Sequence, residues 1–205
     1  MIAIVNYGVG NLASVKNALD RLDVEVEIIS SPDDLSKFQR VILPGVGSFR
    51  LAMQTLHSLG WAQALRAYAA TGRPLLGICL GMQLLFDSGE EHGQTDGLGL
   101  IKGKVVRLTP AAPNKVPHVG WNNLVTQRDH PLFQGLKPNV DFYFVHSFHC
   151  VPANADDILG ICDFGGEFVA AVASRNIAGM QFHPEKSQPS GGKILQNFVN
   201  WEPQC

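Results

Sequence analysis

One stretch near the middle of the chain restricts the fold more than any other: Pro74-Leu75-Leu76-Gly77-Ile78-Cys79-Leu80-Gly81-Met82-Gln83-Leu84-Leu85-Phe86. The apolar run after Pro74 reads as a short buried strand. Met82 to Phe86 are good helix formers with an apolar face, and the helix is expected to end near Ser88-Gly89. Between the two, Gly77 and Gly81 flank Cys79 with the spacing of a nucleophile elbow, Cys standing where Ser is usual. A sharp strand-to-helix turn crowds the backbone, so Gly is needed on either side. Cys79 is then expected at the tip, facing solvent, where the N–H groups and dipole of the following helix favour a thiolate. The plainer alternative is a small buried core Cys.

The surroundings of this stretch repeat one pattern. Ile2 to Val5 reads as a buried strand, followed by the loop Tyr7-Gly8-Val9-Gly10. Asn11 is a good N-cap for a helix whose apolar positions are Leu12, Val15, Ala18, Leu19 and Leu22. Val24 to Ile29 alternates as a second strand, and Ser31-Pro32-Asp33-Asp34 is a turn and helix start. Arg40 to Leu43 forms a third strand, ending at Pro44-Gly45-Val46-Gly47. Ser48 is expected to cap a helix through Leu59, and a further helix runs from Trp61 to Thr71 with Gly72 as its stop. Strands alternating with helices predict a doubly wound parallel sheet with its site beyond the carboxyl ends of the strands. The later half differs. Val105–Leu108, Phe142–Val145, Phe168–Val172 and Ala178–Phe182 read as strands joined by turns, which predicts an antiparallel or mixed portion. A last helix is expected from about Gly192 to Trp201.

Composition excludes several classes. A length of 205 residues predicts one domain, 1–205, large enough for a full core. The net charge of −2 argues against a nucleic-acid or anionic-membrane surface. No segment approaches the ~18 apolar residues of a membrane span. The first residues enter a strand with no basic leader, so no signal peptide is expected. Cys79, Cys150, Cys162 and Cys205 lie far apart without a C-x-x-C pair, which predicts a reducing cytoplasm rather than a disulfide frame or zinc site.

A Cys nucleophile needs a base, and His183 is the best placed of seven His. It ends the apolar run Ala178-Gly179-Met180-Gln181-Phe182, and Pro184 holds it extended. Glu185, two residues on, is within reach of orienting the imidazole. Cys79, His183 and Glu185 thus supply nucleophile, base and orienter. Alone, the H-P-E segment would read as a solvated surface turn. Acyl transfer also needs two N–H donors at the developing oxyanion. Leu80, after the nucleophile, supplies one; the Pro44–Gly47 loop is the candidate for the other. His146 and His149, three apart in one strand, are expected to point to opposite faces and, with the scattered His57, His92, His118 and His130, read as structural or surface. No metal-ligand or P-loop spacing is present.

A rival motif is Gly8-Val9-Gly10-Asn11-Leu12-Ala13, a G-x-G-x-x-A between a strand and a helix, with Glu25 or Glu27 where a ribose-binding acid would sit. It would make the chain a dinucleotide-binding module. It leaves the elbow and the H-P-E segment unexplained, and the two acids fit solvent-facing positions on an edge strand equally well.

Gly77-Ile78-Cys79-Leu80-Gly81-Met82-Gln83 together with Phe182-His183-Pro184-Glu185 resembles the class I, triad-type glutamine amidotransferases. Further blocks resemble one branch of them, the glutaminase subunits of imidazole glycerol phosphate synthase. These are Asn6 to Val15, Pro44 to Phe49, Pro117-His118-Val119-Gly120-Trp121-Asn122, and Tyr143-Phe144-Val145-His146-Ser147. They occur in order along essentially the whole chain. The resemblance implies an α/β, flavodoxin-like three-layer fold: a mainly parallel central sheet flanked by helices, with additional antiparallel strands in the second half. It implies that Cys79 attacks the side-chain amide of L-glutamine, that His183 and Glu185 complete the triad, and that Leu80 and the Val46–Gly47 peptide bind the oxyanion. Gly45, Gln83, Ser147 and Phe148 match positions that help hold glutamine. Asn11, His118, Trp121, Asn122, Tyr143 and Lys186 match segments near a cyclase partner, a (β/α)8 barrel in a 1:1 heterodimer that receives the ammonia for histidine biosynthesis. No cofactor or metal is implied. A stand-alone Cys amidase of the same fold would use the same triad.

Overall fold

The chain opens with β1 (Ile2–Val5), α1 (Leu12–Asp20) and β2 (Val26–Ile29), then a 3-10 helix over Pro32–Lys37. β3 (Arg40–Gly45) leads into two helices, α2 (Phe49–Ser58) and α3 (Trp61–Ala69). β4 (Leu75–Cys79) runs directly into the short α4 (Leu80–Leu84). The elements that follow are mainly strands: β5 (Phe86–Gly89), β6 (Thr95–Asp96), β7 (Ile101–Arg107), β8 (His118–Thr126), β9 (Val140–His146), β10 (Phe148–Pro152), β11 (Ile158–Asp163), β12 (Glu167–Ser174) and β13 (Ile177–Met180). Helix α5 (Gln188–Asn200) follows. This computed structural model describes residues 1–203; Cys205 lies outside the described residues.

Strands β2, β1, β3, β4 and β13 are neighbours in that order and all parallel. β1, β4 and β13 are buried along their whole length, which is why their sequences are apolar without alternation. Successive side chains point to opposite faces and feed two cores. Ala3, Val5, Leu43 and Leu75 pack with Phe49, Met53 and Leu56 of α2 and Trp61 and Leu65 of α3. Ile2, Ile4, Ile42, Leu76 and Ile78 pack on the other side with Val15 and Leu19 of α1 and Ile194, Leu195 and Phe198 of α5. Each fully buried Val, Leu, Ile, Phe or Met side chain among them contributes about 1.5–3 kcal/mol. The three-layer α/β arrangement expected from the sequence is therefore present.

Beyond β13 the sheet becomes mostly antiparallel: β12 pairs with β13, β10 and β11, and β8 pairs with β11 and β9. The mixed second half is as expected, although β8, β10 and β11 were not foreseen as strands.

Several local expectations are corrected. The elbow helix ends at Leu84, not near Gly89, because Phe86–Gly89 pairs in parallel with β7 and Leu85 O accepts the N–H of both Leu100 and Ile101. Long-range pairing overrides local helix propensity there. Ser48 makes no side-chain cap; instead Glu91 Oε2 accepts the Phe49 N–H at 2.7 Å. The second strand begins at Val26, the Asp33-Asp34 segment is only a 3-10 helix, and the last helix starts earlier, at Gln188. His146 and His149 do not share a strand, since the chain breaks at Ser147 between β9 and β10.

Candidate active site

Parallel pairing brings three strand ends to one place. Gly45 of β3 lies opposite Cys79 of β4, and Met180 of β13 lies opposite Ile78. Residues that follow β3 and β13 therefore emerge on either side of Cys79. Cys79 itself is the elbow: its φ is 55° and ψ −112°, a conformation rare for a residue with a side chain. The flanking glycines are needed for close approach. A Cβ on Gly77 would meet Gly81 O at 2.6 Å, and one on Gly81 would meet Leu43 O at 1.8 Å. Cys79 is 5% exposed and lines a cavity of about 360 Å³, so the thiol sits on a cavity wall rather than facing open solvent as expected. The helix behind it is only five residues long, which leaves it a smaller dipole than the sequence had suggested.

His183 lines the same cavity. Its Nδ1 is 2.7 Å from Glu185 Oε1, with both side chains 2% exposed. A carboxylate only accepts, so Nδ1 carries the proton and Nε2 is left with its lone pair. That Nε2 is buried with no hydrogen-bond partner, free to take the proton of Cys79. The 3-10 turn Pro184–Lys186 folds Glu185 back under the imidazole. Burial lowers the basicity of His183, but interaction with Cys79 and Glu185 outweighs it and raises the pKa to about 9. The group is thus a strong proton acceptor in a dry site. The thiol comes from the middle of the chain and the His183–Glu185 pair from its far end, the three groups that a nucleophile, base and orienter would need.

The other expected site residues divide. Val46, Gly47, Leu80, Gln83, Ser147 and Phe148 all line the cavity with Cys79 and His183. Gly47 has φ +95°, which only glycine adopts readily. Gly45 is behind the elbow: a Cβ there would meet Tyr7 Oη at 2.7 Å. Gln83 is 6% exposed, and its Nε2 donates to Phe148 O and Gln181 Oε1, both at 3.0 Å.

Three residues of this site escaped the sequence reading. Gln181 is wholly buried, with Nε2 3.8 Å from Cys79 Sγ. Its signal was an amide within the otherwise apolar run Ala178–Phe182. Ser187 Oγ donates to His183 O at 2.6 Å and accepts the Tyr143 N–H at 3.0 Å, fixing the backbone under the base. Glu91 contributes the one carboxylate lining the cavity. Both depend on long-range contacts and had no local signature.

Of the segments matched to a partner, Asn11 is exposed and its Oδ1 accepts the Ser14 N–H, capping α1 as expected. Trp121 is 52% exposed, and Tyr143 lies opposite it across β8 and β9. Lys186 is exposed, with Nζ 5.6 Å from the Tyr143 ring. His118 is different. It is 2% exposed, stacked on Phe164 and Phe144, and 3.0 Å from His146, so it presents nothing to a partner. Asn122 is half-buried, donating to Asp163 O. Burial lowers the pKa of His118 to about 4 and that of His146 to about 3, so this pair is neutral near pH 7.

Glu25 and Glu27 are solvent-exposed, Glu27 on the edge strand β2, as the solvent-facing alternative had it. A larger cavity, about 670 Å³, lies between Leu124 and Asn139 and contains no cysteine. Cys79 and His183 line the smaller one. Among the described residues, no group of three or more His, Cys, Asp or Glu is placed to hold a metal ion, and no helix is long and apolar enough to cross a membrane.

The profile of the family "Glutamine amidotransferase class-I" matches residues 3–201. The imidazole glycerol phosphate synthase subunit HisH of Sulfurimonas denitrificans is 48% identical, over 98% of both chains. That of Moorella thermoacetica is also 48% identical, over 96% of this chain and 93% of its own. Among solved structures, PurLQS from Thermotoga maritima superposes with a TM-score of 0.77 over 97% of each chain, at 20% identity, a likeness of fold alone.

Proposed function

This chain belongs to the class-I glutamine amidotransferase family, in the branch of the HisH subunits of imidazole glycerol phosphate synthase, and from that premise we propose how it works. It is a glutaminase that hydrolyses L-glutamine to glutamate and ammonia. The observation that carries this reading is the meeting of Cys79 and His183 at one cavity wall, with Glu185 bound to the far side of the imidazole.

The Cys79 thiol gives its proton to His183 Nε2, and the thiolate attacks the side-chain amide carbon of glutamine. Negative charge builds on the amide oxygen and is met by the Leu80 N–H and the Val46–Gly47 peptide. His183 then returns its proton to the leaving nitrogen, and ammonia departs, leaving a γ-glutamyl thioester. Water, deprotonated by His183, attacks that thioester; the sulfur leaves, and glutamate is released. Glu185 holds the imidazole in the required tautomer throughout. Gln83, Ser147 and Phe148 hold the substrate, with Gly45 supporting the elbow. Glu91 offers a negative charge to the substrate's α-ammonium group.

The ammonia goes to a cyclase partner, a (β/α)8 barrel bound 1:1, in a cytoplasmic complex that serves histidine biosynthesis. The exposed ribbon face around Trp121, with Tyr143 opposite it and Lys186 over the Tyr143 ring, supports docking there; Asn11 and Asn122 are proposed as further contacts. Residues 1–205 act as one domain.

The test is glutamate release from glutamine by the chain alone, and by the chain mixed with the barrel cyclase and its nucleotide. Wild type is expected to be active mainly with the partner. Cys79→Ala is expected to lose glutamine-dependent turnover, while the cyclase still uses added ammonium. Full activity without the partner would favour a stand-alone amidase, and glutaminase activity in Cys79→Ala would overturn the assignment.

A further inference from the structure

A chain of buried hydrogen bonds ends on the sulfur of Cys79, and its polarity is fixed by chemistry. The fixed point is Phe148 O, a carbonyl that can only accept. It receives Gln83 Nε2 at 3.0 Å and His146 Nδ1 at 2.8 Å. The Gln83 amide must therefore turn its NH2 group inward, toward that carbonyl. The same NH2 group lies 3.0 Å from the Gln181 side chain, which must present its oxygen, Oε1, in reply. With that oxygen turned to Gln83, the NH2 of Gln181 has the opposite direction left, and it lies 3.8 Å from Cys79 Sγ. Gln181 is wholly buried, so no water competes for these positions.

Besides His183, the sulfur has a second polar neighbour in Val145 O at 3.9 Å, an acceptor. A carbonyl beside the sulfur favours the neutral thiol, which can donate to it, and opposes the thiolate. A donor in the same shell does the reverse.

We infer that Gln181 is a catalytic residue of the reaction proposed above, donating through Nε2 to the Cys79 sulfur, with Gln83 as the residue that orients it. When the thiol proton passes to His183 Nε2, the negative charge left on Sγ is received by the Gln181 N–H. No bond to Gln181 forms or breaks, and its proton stays with it. The strand supplies this position directly. β13 runs parallel to β4 and pairs Met180 with Ile78, so Gln181, the residue just after β13, and Cys79, the last of β4, come side by side. Gln83 belongs to the elbow helix α4, so the nucleophile, its donor and the donor's orienter are carried by two adjacent strands and one turn.

This inference rests on Cys79 being the nucleophile, and the experiment separates the two. The full chain is alkylated with iodoacetamide across pH 5 to 10, the reaction at Cys79 being followed by peptide mass spectrometry. Two variants are compared with wild type, Gln181→Leu and the isosteric Gln181→Glu, and their folding is checked by thermal melting. Loss of a hydrogen bond to a charged group is expected to raise the apparent thiol pKa by about one unit, slowing alkylation near neutrality about tenfold. Gln181→Glu is expected to raise it at least as far, because a carboxylate oxygen then faces the thiolate. In the complex with its cyclase partner, kcat for glutamine is expected to fall tenfold or more, with KM within about twofold. A purely structural role would leave the thiol titration unmoved. An alkylation profile that matches wild type in either folded variant overturns the inference. If Gln181→Leu does not fold, Gln181→Glu decides. Should wild type release no glutamate from glutamine at all, the proposed reaction fails, while the alkylation profiles still decide what Gln181 does to the sulfur.

Discussion

The Cα of Gly81 is pressed so close to Leu43 that a Cβ would lie 1.8 Å from the Leu43 carbonyl oxygen. The elbow helix thus sits directly on the neighbouring strand, and that closeness lets Cys79 turn out of β4 within one residue. Gly81→Ala is expected to destabilise the fold by about 3 kcal/mol or more, because backbone must move to admit a methyl group. Denaturant unfolding measures this. A midpoint within experimental error of wild type would mean that the elbow is looser than these atoms allow.

Two adjacent glycines in α5 give opposite expectations. A Cβ on Gly191 would meet Pro184 O at 1.9 Å, in the turn that places Glu185 beneath His183. A Cβ on Gly192 would meet nothing within 4 Å. Gly191→Ala is therefore expected to lower both stability and glutaminase rate. Gly192→Ala is expected to stabilise by up to about 1 kcal/mol, from reduced backbone freedom in the unfolded chain, with activity kept. Melting curves and glutamate release on both variants decide it.

These glycines also mark what the sequence could and could not disclose. The elbow and the H-P-E turn were legible because each is local: spacing along the chain fixes their geometry. Four of the five parallel neighbours, β2, β1, β3 and β4, were legible for a similar reason, since continuous apolar runs such as Ile2–Val5 announce burial on both faces; β13 was read with the antiparallel or mixed half, and only its pairing with β4 puts it in the parallel part. β5 was not legible. Phe86–Gly89 follows good helix formers, and only its pairing with β7 makes it a strand. Glu91 as cap of α2 and Ser187 as brace of His183 are likewise set by partners distant in sequence. His118 was matched to a docking segment, yet the alternation of β8 turns it inward and leaves Val119 and Trp121 outward.

His183 gives the fold a pH dependence of definite sign. Its folded pKa is raised to about 9, despite burial, by Cys79 and Glu185. A raised histidine binds its proton more tightly when folded, so the stability it contributes is fully present below the unfolded value of about 6.5 and lost as pH rises through about 9. Glu185→Gln keeps the shape of the partner and removes its charge. The stability gap between wild type and Glu185→Gln is expected to be widest near pH 6 and to narrow steadily up to pH 10. Urea midpoints at five pH values in that range measure it. A gap that stays constant would show that the carboxylate acts on His183 by geometry alone.

The outer face of the β8–β9 ribbon argues for a partner at the mouth of the site. Alternation turns Val119, Trp121 and Val145 outward at 56%, 52% and 37% exposure. Val119 lies opposite Val145 in the register, and Trp121 opposite Tyr143. Val145 also lines the cavity of Cys79, so this apolar face adjoins the reacting atoms. A half-exposed Trp contributes little to the isolated fold but is the residue type most often dominant at a protein interface. Trp121→Ala is expected to leave the melting temperature nearly unchanged, while weakening association with the barrel cyclase by about 2 kcal/mol, roughly thirtyfold in Kd. Titration calorimetry with the purified partner reads the affinity, and a melt of the chain alone reads the fold. Unchanged affinity would place the docking surface elsewhere on the molecule, and a large drop in melting temperature would assign Trp121 to the core instead.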